Sequence, residues 1–192
     1  MAVPTESYEK IDQSYSDALA WMNYIGVKFS SGRTSHYAKV IKYWKSEYKS
    51  AAADTAKAAF PGFVSSMFEV HDFIEIWKAF SQTPTPELSQ LVEKLQKGIN
   101  GPIDASDETS NSTTARNFLF EAMVAARSHR PQIGVEAILN TNSHTGIKID
   151  KKKLWIECKR PITTNKIEAN VRKASSQLEA VIKKQMVQVI VE

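Results

Sequence analysis

The stretch from Gly146 to Pro161 restricts the fold of this chain more than any other. Ile147 and Ile149 alternate with polar residues, a charged turn follows, and Leu154 to Lys159 reads as a second strand, so the segment is a β-hairpin. A two-residue turn at Lys151-Lys152 pairs Gly146 with Glu157 and His144 with Lys159. Glu157 and Lys159 stand two apart and leave one face, while Leu154, Ile156 and Cys158 point to the other, into a core. A carboxylate beside an ammonium on an apolar strand can hold a cation and a phosphate together. Glutamate offers a hard oxygen to Mg²⁺, and lysine sets a positive charge against an oxyanion or an activated water. The plainer reading of the same triplet is a solvated ion pair.

The first hundred residues carry a helical period instead. Residues 5–29 place Tyr8, Ile11, Tyr15, Ala18, Met22 and Ile25 at spacings of three and four. A second helix is expected from Tyr37 to Ala52, whose aromatics read as packed core in preference to a base-stacking platform. Ala56 to Phe63, with Pro61-Gly62, reads as a break before a third helix over Ser65 to Phe80. Glu87 to Ile99 is a fourth. Gly101-Pro102 then opens a polar stretch free of large apolar side chains, giving a helical region 1–102, a linker 103–114 and an α/β region 115–192.

The α/β region opens with a helix from Thr114 to Ser128. Its middle, Phe118 to Ala126, is apolar nearly all round, and Glu121 is the only charge inside it. A buried carboxylate must be protonated, paired or bound to metal. Three readings stay open: a salt bridge to Arg116 or Arg127, exposure along a narrow polar edge, or an acid aimed at the same cation as Glu157. Val135 to Leu139 begins the sheet. Beyond Pro161 a helix with an Asn165/Glu168 capping pattern buries Ile167, Val171, Ala174, Leu178 and Val181. Met186 to Val191 reads as a last strand, which makes a parallel βαβ crossover with Leu154–Lys159 and hence a mixed sheet. The chain stops at that strand, so the core is read as open to truncation at its C-terminal end.

Glu157-Cys158-Lys159, within Ile-Glu-Cys-Lys-Arg-Pro, resembles the E-x-K signature of the PD-(D/E)XK phosphodiesterase superfamily, and Arg-Asn-Phe-Leu-Phe-Glu121 resembles the acid-bearing helix of several of its branches. The resemblance implies a restriction-endonuclease-like α/β/α core, behind an all-helical N-terminal region, that hydrolyses nucleic acid with Mg²⁺ or Mn²⁺. Glu121 and Glu157 would hold the metal, Lys159 would act on the phosphate, and Gln177 resembles a glutamine that fixes the lysine or a phosphate. The superfamily's other acid has no clear counterpart. Asn142 to Gly146 holds no carboxylate, which leaves Asp150 at the turn, Glu136 one strand earlier, or the imidazole of His144 as substitutes.

Charge supports a polyanionic partner. Residues 1–110 hold 11 Lys and Arg against 14 Asp and Glu, and residues 111–192 hold 14 against 7. Lys151, Lys152, Lys153, Arg160, Arg172 and Lys173 are the residues expected to track a nucleic-acid backbone. One cysteine excludes an internal disulfide and any Cys-based zinc cluster, and no apolar run reaches the length of a membrane span. The expectation is therefore a cytoplasmic, metal-dependent nuclease, with DNA favoured as substrate and the N-terminal helices open to a protein partner. Two alternatives are carried beside it: a nuclease-like module that binds nucleic acid without cutting, and a helical protein-interaction adaptor.

Overall fold

The computed structural model of the chain describes residues 6–29, 32–47, 50–103, 107–108, 114–139, 145–158 and 167–190, without the side chains of 114 and 181–190. Among them lie α1 (Tyr8–Tyr24), α2 (Arg33–Ser46), α3 (Ala53–Phe80), α4 (Ser89–Gly98), α5 (Thr114–Ser128), β1 (Val135–Leu139), β2 (Thr145–Ile149), β3 (Lys152–Ile156) and α6 (Ile167–Ile190). The described part of residues 1–100 contains no strand, as the helical period requires. The three strands form one antiparallel sheet in the order β1-β2-β3.

The N-terminal helices bury the stripes their spacing marks. On α1, Ile11, Tyr15, Ala18 and Met22 are buried, and Ser7 caps the first turn by accepting from the Lys10 N–H at 3.3 Å. α2 begins four residues before the expected Tyr37, because Gly32 adopts φ 93 and Arg33 and Thr34 enter the core. The expected break at Pro61-Gly62 does not occur: α3 runs through it. Proline inside a helix forfeits one hydrogen bond and costs about 3 kcal/mol. Rings on both sides of it offset that cost. Phe60 and Phe63 both pack on Trp44, with centroids 6.1 and 4.4 Å away, and Tyr8 meets Phe63 at 6.0 Å.

One apolar core spans both regions. Leu119, Ala122, Met123, Ala125 and Ala126 of α5 join Tyr15, Met22, Ile41, Phe73, Ile74 and Leu91 in a single buried cluster. Ala137 and Leu139 of β1 pack against it, so α5 lies between the helices and one face of the sheet. α4 approaches α5 closely, since a Cβ on Gly98 would stand 3.3 Å from the Leu119 nitrogen.

The hairpin turns at Asp150-Lys151, not at Lys151-Lys152. Ile149 pairs with Lys152, Gly146 with Trp155 and Thr145 with Ile156. A slip of two positions leaves every side chain on its expected face. Asp, which tolerates the left-handed region, takes φ 54 at the turn. Gly146 is required by its partner, because a Cβ there would meet the Leu154 carbonyl oxygen at 2.8 Å and the Trp155 ring at 3.0 Å. Gly146→Ala is expected to cost about 1–3 kcal/mol in urea unfolding, since backbone cannot retreat as a side chain can.

Three further expectations are corrected at the C-terminal end. Leu154 is 59% exposed, because α5 packs on β1 and β2 and leaves the edge strand uncovered. Residues Met186–Ile190 are helical, so the parallel crossover and the mixed sheet are absent from the described residues. No glycine or proline interrupts Ile167–Ile190, and apolar residues continue at helical spacing through Ile182, Met186 and Ile190. The half-buried side of α6 is also turned from the expected stripe. It carries Asn170, Ala174, Gln177 and Leu178, while Ile167 and Val171 are exposed.

Candidate active site

Glu157 follows β3 directly. Were the alternation of β3 carried one residue past its end, Glu157 would share the face that bears Trp155, opposite the face through which Ala137 and Leu139 meet the helices. Glu157 and Cys158 are half-buried, and the Glu157 Oε1 atom is shielded from solvent. Lys159, Arg160 and His144 lie outside the described residues. Gln177 sits on the inner side of α6 with its Oε1 buried.

Glu136, Lys148 and Lys153 form a row across the same face, each the ladder partner of the next. Lys148 Nζ bridges Glu136 Oε2 at 3.2 Å. Lys148 and Lys153 stand directly opposite, a pairing of like charges that costs stability unless an anion lies over it. No spacing in the sequence marks Lys148; only the ladder places it beside Lys153. Lys151, Lys152, Lys153, Arg172 and Lys173 are all exposed, and Arg172 shares its charge with Glu168 at 2.7 Å.

Glu121 is buried as expected, but its side chain meets α4. Lys94 Nζ lies 2.5 Å from Glu121 Oε2, with the Lys94 side chain almost wholly buried and its ammonium 5.7 Å from the Phe118 ring centre. The lysine solves the burial problem that the sequence posed for Glu121. Arg116 instead bonds Glu69 and Glu108, and donates to the Pro102 and Ile103 carbonyls at 3.1 and 2.7 Å. Lys94 carried no sequence signal of its own, because it reads as one more polar residue of an amphipathic helix. α5 packs on the face of the sheet that bears Ala137 and Leu139. Asp150 is exposed at the hairpin tip, roughly 20 Å of strand rise from Glu157. That distance is too great for one cation. Glu136 is on the correct face, beside Lys148.

Among the described residues no three His, Cys, Asp or Glu side chains gather to hold a metal. Mg²⁺ needs less than that from protein, commonly one or two carboxylates completed by water and substrate phosphates. The Glu157 carboxylate fits as one such hard ligand, and alternation turns the softer Cys158 sulfur to the other face.

A second polar site lies on the far side of α5. A groove of about 210 Å³ between α3 and α5 is lined by Phe68, Glu69, Asp72, Arg116 and Phe120. Burial, and then the neighbouring Glu69, push the Asp72 carboxyl from its ordinary 3.8 up to about 6, against the pull of Arg127. A raised folded-state pKa means that Asp72 favours the fold fully below about 3.8, and that this contribution is lost as pH rises through about 6. Asp72→Asn is therefore expected to stabilise the protein by on the order of 2 kcal/mol above neutral pH. The gain, measured by urea unfolding, should vanish toward pH 4.

Among the described residues no helix is long and apolar enough to cross a membrane. Compared with known families, characterised proteins and solved structures, the chain matches none.

Proposed function

We propose that this chain is a metal-dependent nuclease acting on nucleic acid, DNA in the first instance, with its reacting centre at the end of β3. One observation carries the reading: a half-buried glutamate follows the last strand of an antiparallel hairpin, with Lys159 two residues on and the order helix, three strands, helix around it. That order accords with the resemblance of Glu157-Cys158-Lys159 to the PD-(D/E)XK signature. A divalent cation held at Glu157 supplies Lewis-acid polarisation of a phosphate oxygen and a water acidic enough to attack. The side chains do the rest. Glu157 gives one hard oxygen and fixes where a phosphate can sit. Lys159 places its ammonium against charge that grows on the phosphate during attack. Lys148 and Lys153 hold the flanking backbone, which fixes position without reading sequence.

Plasmid and single-strand cleavage with Mg²⁺ or Mn²⁺ tests the reaction. A wild-type chain that binds but never cuts under either metal removes the enzyme from this reading. A second reading, binding without cutting, has a specific observation in its favour: Lys94 occupies the Glu121 carboxylate that the resemblance assigns to metal. Backbone tracking is tested separately. Reversing Lys151, Lys152 and Lys153 to Glu is expected to weaken binding equally for unrelated sequences and to flatten the log–log salt slope by roughly 3. A fluorescence titration at several salt concentrations reads both effects, and an unchanged slope places the contact surface elsewhere.

A further inference from the structure

The outer side of β1 borders a cavity of about 370 Å³, lined among others by Phe80, Glu87, Leu88, His129, Glu136 and Leu139. This is the lower end of the range for small-ligand sites, enough for one ring system and its substituents. The walls are of two kinds. Phe80, Leu88, Leu139, Ala79 and Ala137 give an apolar floor. His129, Glu87, Glu136, Gln82 and Thr83 give the polar groups, and Glu136 is already bridged by Lys148 at 3.2 Å.

The chemistry of His129 is set by its surroundings. Its Nδ1 accepts the Ala137 backbone N–H at 3.2 Å, so the neutral ring carries its proton on Nε2. The ring lies stacked on Phe80 with centroids 4.9 Å apart and planes 26° apart, which fixes its orientation. Burial holds its pKa below the ordinary histidine value, against Glu136 and together with Arg130. His129 thus brings a ring of fixed orientation with an N–H donor to the cavity wall, and Glu87 brings a carboxylate acceptor.

That pattern selects among ligands. A phosphate would accept from Nε2–H but meet the Glu87 carboxylate. A simple amine would satisfy that carboxylate and give His129 nothing to donate to. A planar heterocycle with a donor and an acceptor side by side on one edge satisfies both, and every nucleobase has such an edge. We propose that this cavity binds a single unpaired nucleobase, with His129 Nε2–H donating to a ring or carbonyl acceptor and Glu87 accepting from the adjacent N–H. The inference rests on the nucleic-acid reading for the source of the base, but the two fail separately. A chain that binds nucleosides here and never cuts loses only the nuclease reading; one that cuts while His129 stays unmoved loses only this site.

The test uses the full chain with uridine, cytidine, adenosine and guanosine, and with ribose 5-phosphate and benzylamine as controls, while NMR follows the His129 ring resonances and, in the variants, the Ala137 amide. Saturable shifts are expected with nucleosides and not with either control. Glu87→Gln, an exposed change that leaves the core untouched, and His129→Phe, which keeps the stack on Phe80, should each weaken binding by roughly tenfold, as for the loss of one buried hydrogen bond. Should His129→Phe fail to fold, Glu87→Gln decides alone. The site is overturned if no nucleoside moves the His129 signals, if ribose 5-phosphate or benzylamine moves them equally, or if the folded variants bind like wild type.

Discussion

Lys94→Ala is expected to lower the unfolding free energy by roughly 3–5 kcal/mol, the cost of breaking a buried ion pair by removing one partner. Lys94 is 1% exposed and Glu121 is 8% exposed, so neither charge reaches water when the other is removed. Glu121→Ala should cost a similar amount. Replacing both together, Lys94→Met with Glu121→Leu, should cost far less than the two single changes added, because no uncompensated charge remains. A double-mutant cycle in urea measures this directly. The same cycle settles what Glu121 does. As a structural partner of Lys94, Glu121→Gln alters stability and leaves the Mg²⁺ dependence of any cleavage unchanged; a variant that folds normally and needs far more Mg²⁺ overturns that assignment.

On the proposed function, Lys159→Ala is expected to reduce cleavage at least about a hundredfold while binding to nucleic acid stays nearly intact. A lysine that meets a phosphate only as charge grows on it contributes to the transition state more than to the bound ground state. Glu157→Ala should lose cleavage as well, and with it affinity for the divalent ion. The two variants are thus separated by a metal titration, in which only Glu157→Ala shifts the midpoint. Single-turnover rates at saturating nucleic acid check the first part. Equal cleavage by wild type and Lys159→Ala removes lysine from the reaction.

Much of the fold was legible because apolar period and turn chemistry agreed locally. The stripe Ile11, Tyr15, Ala18 and Met22 needed no tertiary information, and α5 was bounded at Thr114 and Ser128 by polar residues on either side. The errors arose where a local signal was outweighed by packing. Pro61 did not break α3 because Phe60 and Phe63 both find Trp44. Met186–Ile190 resembles a strand in isolation but extends a helix that nothing interrupts. The candidate site was legible only in part. Glu157 and its face followed from alternation, which a two-residue slip does not disturb. Partners from other elements, Lys94 of α4 for Glu121 and Ala137 of β1 for His129, leave no mark in sequence spacing.

Arg116 carries a consequence for the order in which the chain can become native. Arg33 donates to Glu69 at 2.6 Å, and Glu69 also binds Arg116, which arrives 47 residues later in synthesis. Lys94 likewise waits 27 residues for Glu121. While the first four helices emerge from the ribosome, Glu69 and Lys94 would have to be buried with their pairing incomplete, which folding cannot readily tolerate. Helices α1 to α4 should therefore stay loosely collapsed during translation and close cooperatively only once α5 has left the exit tunnel.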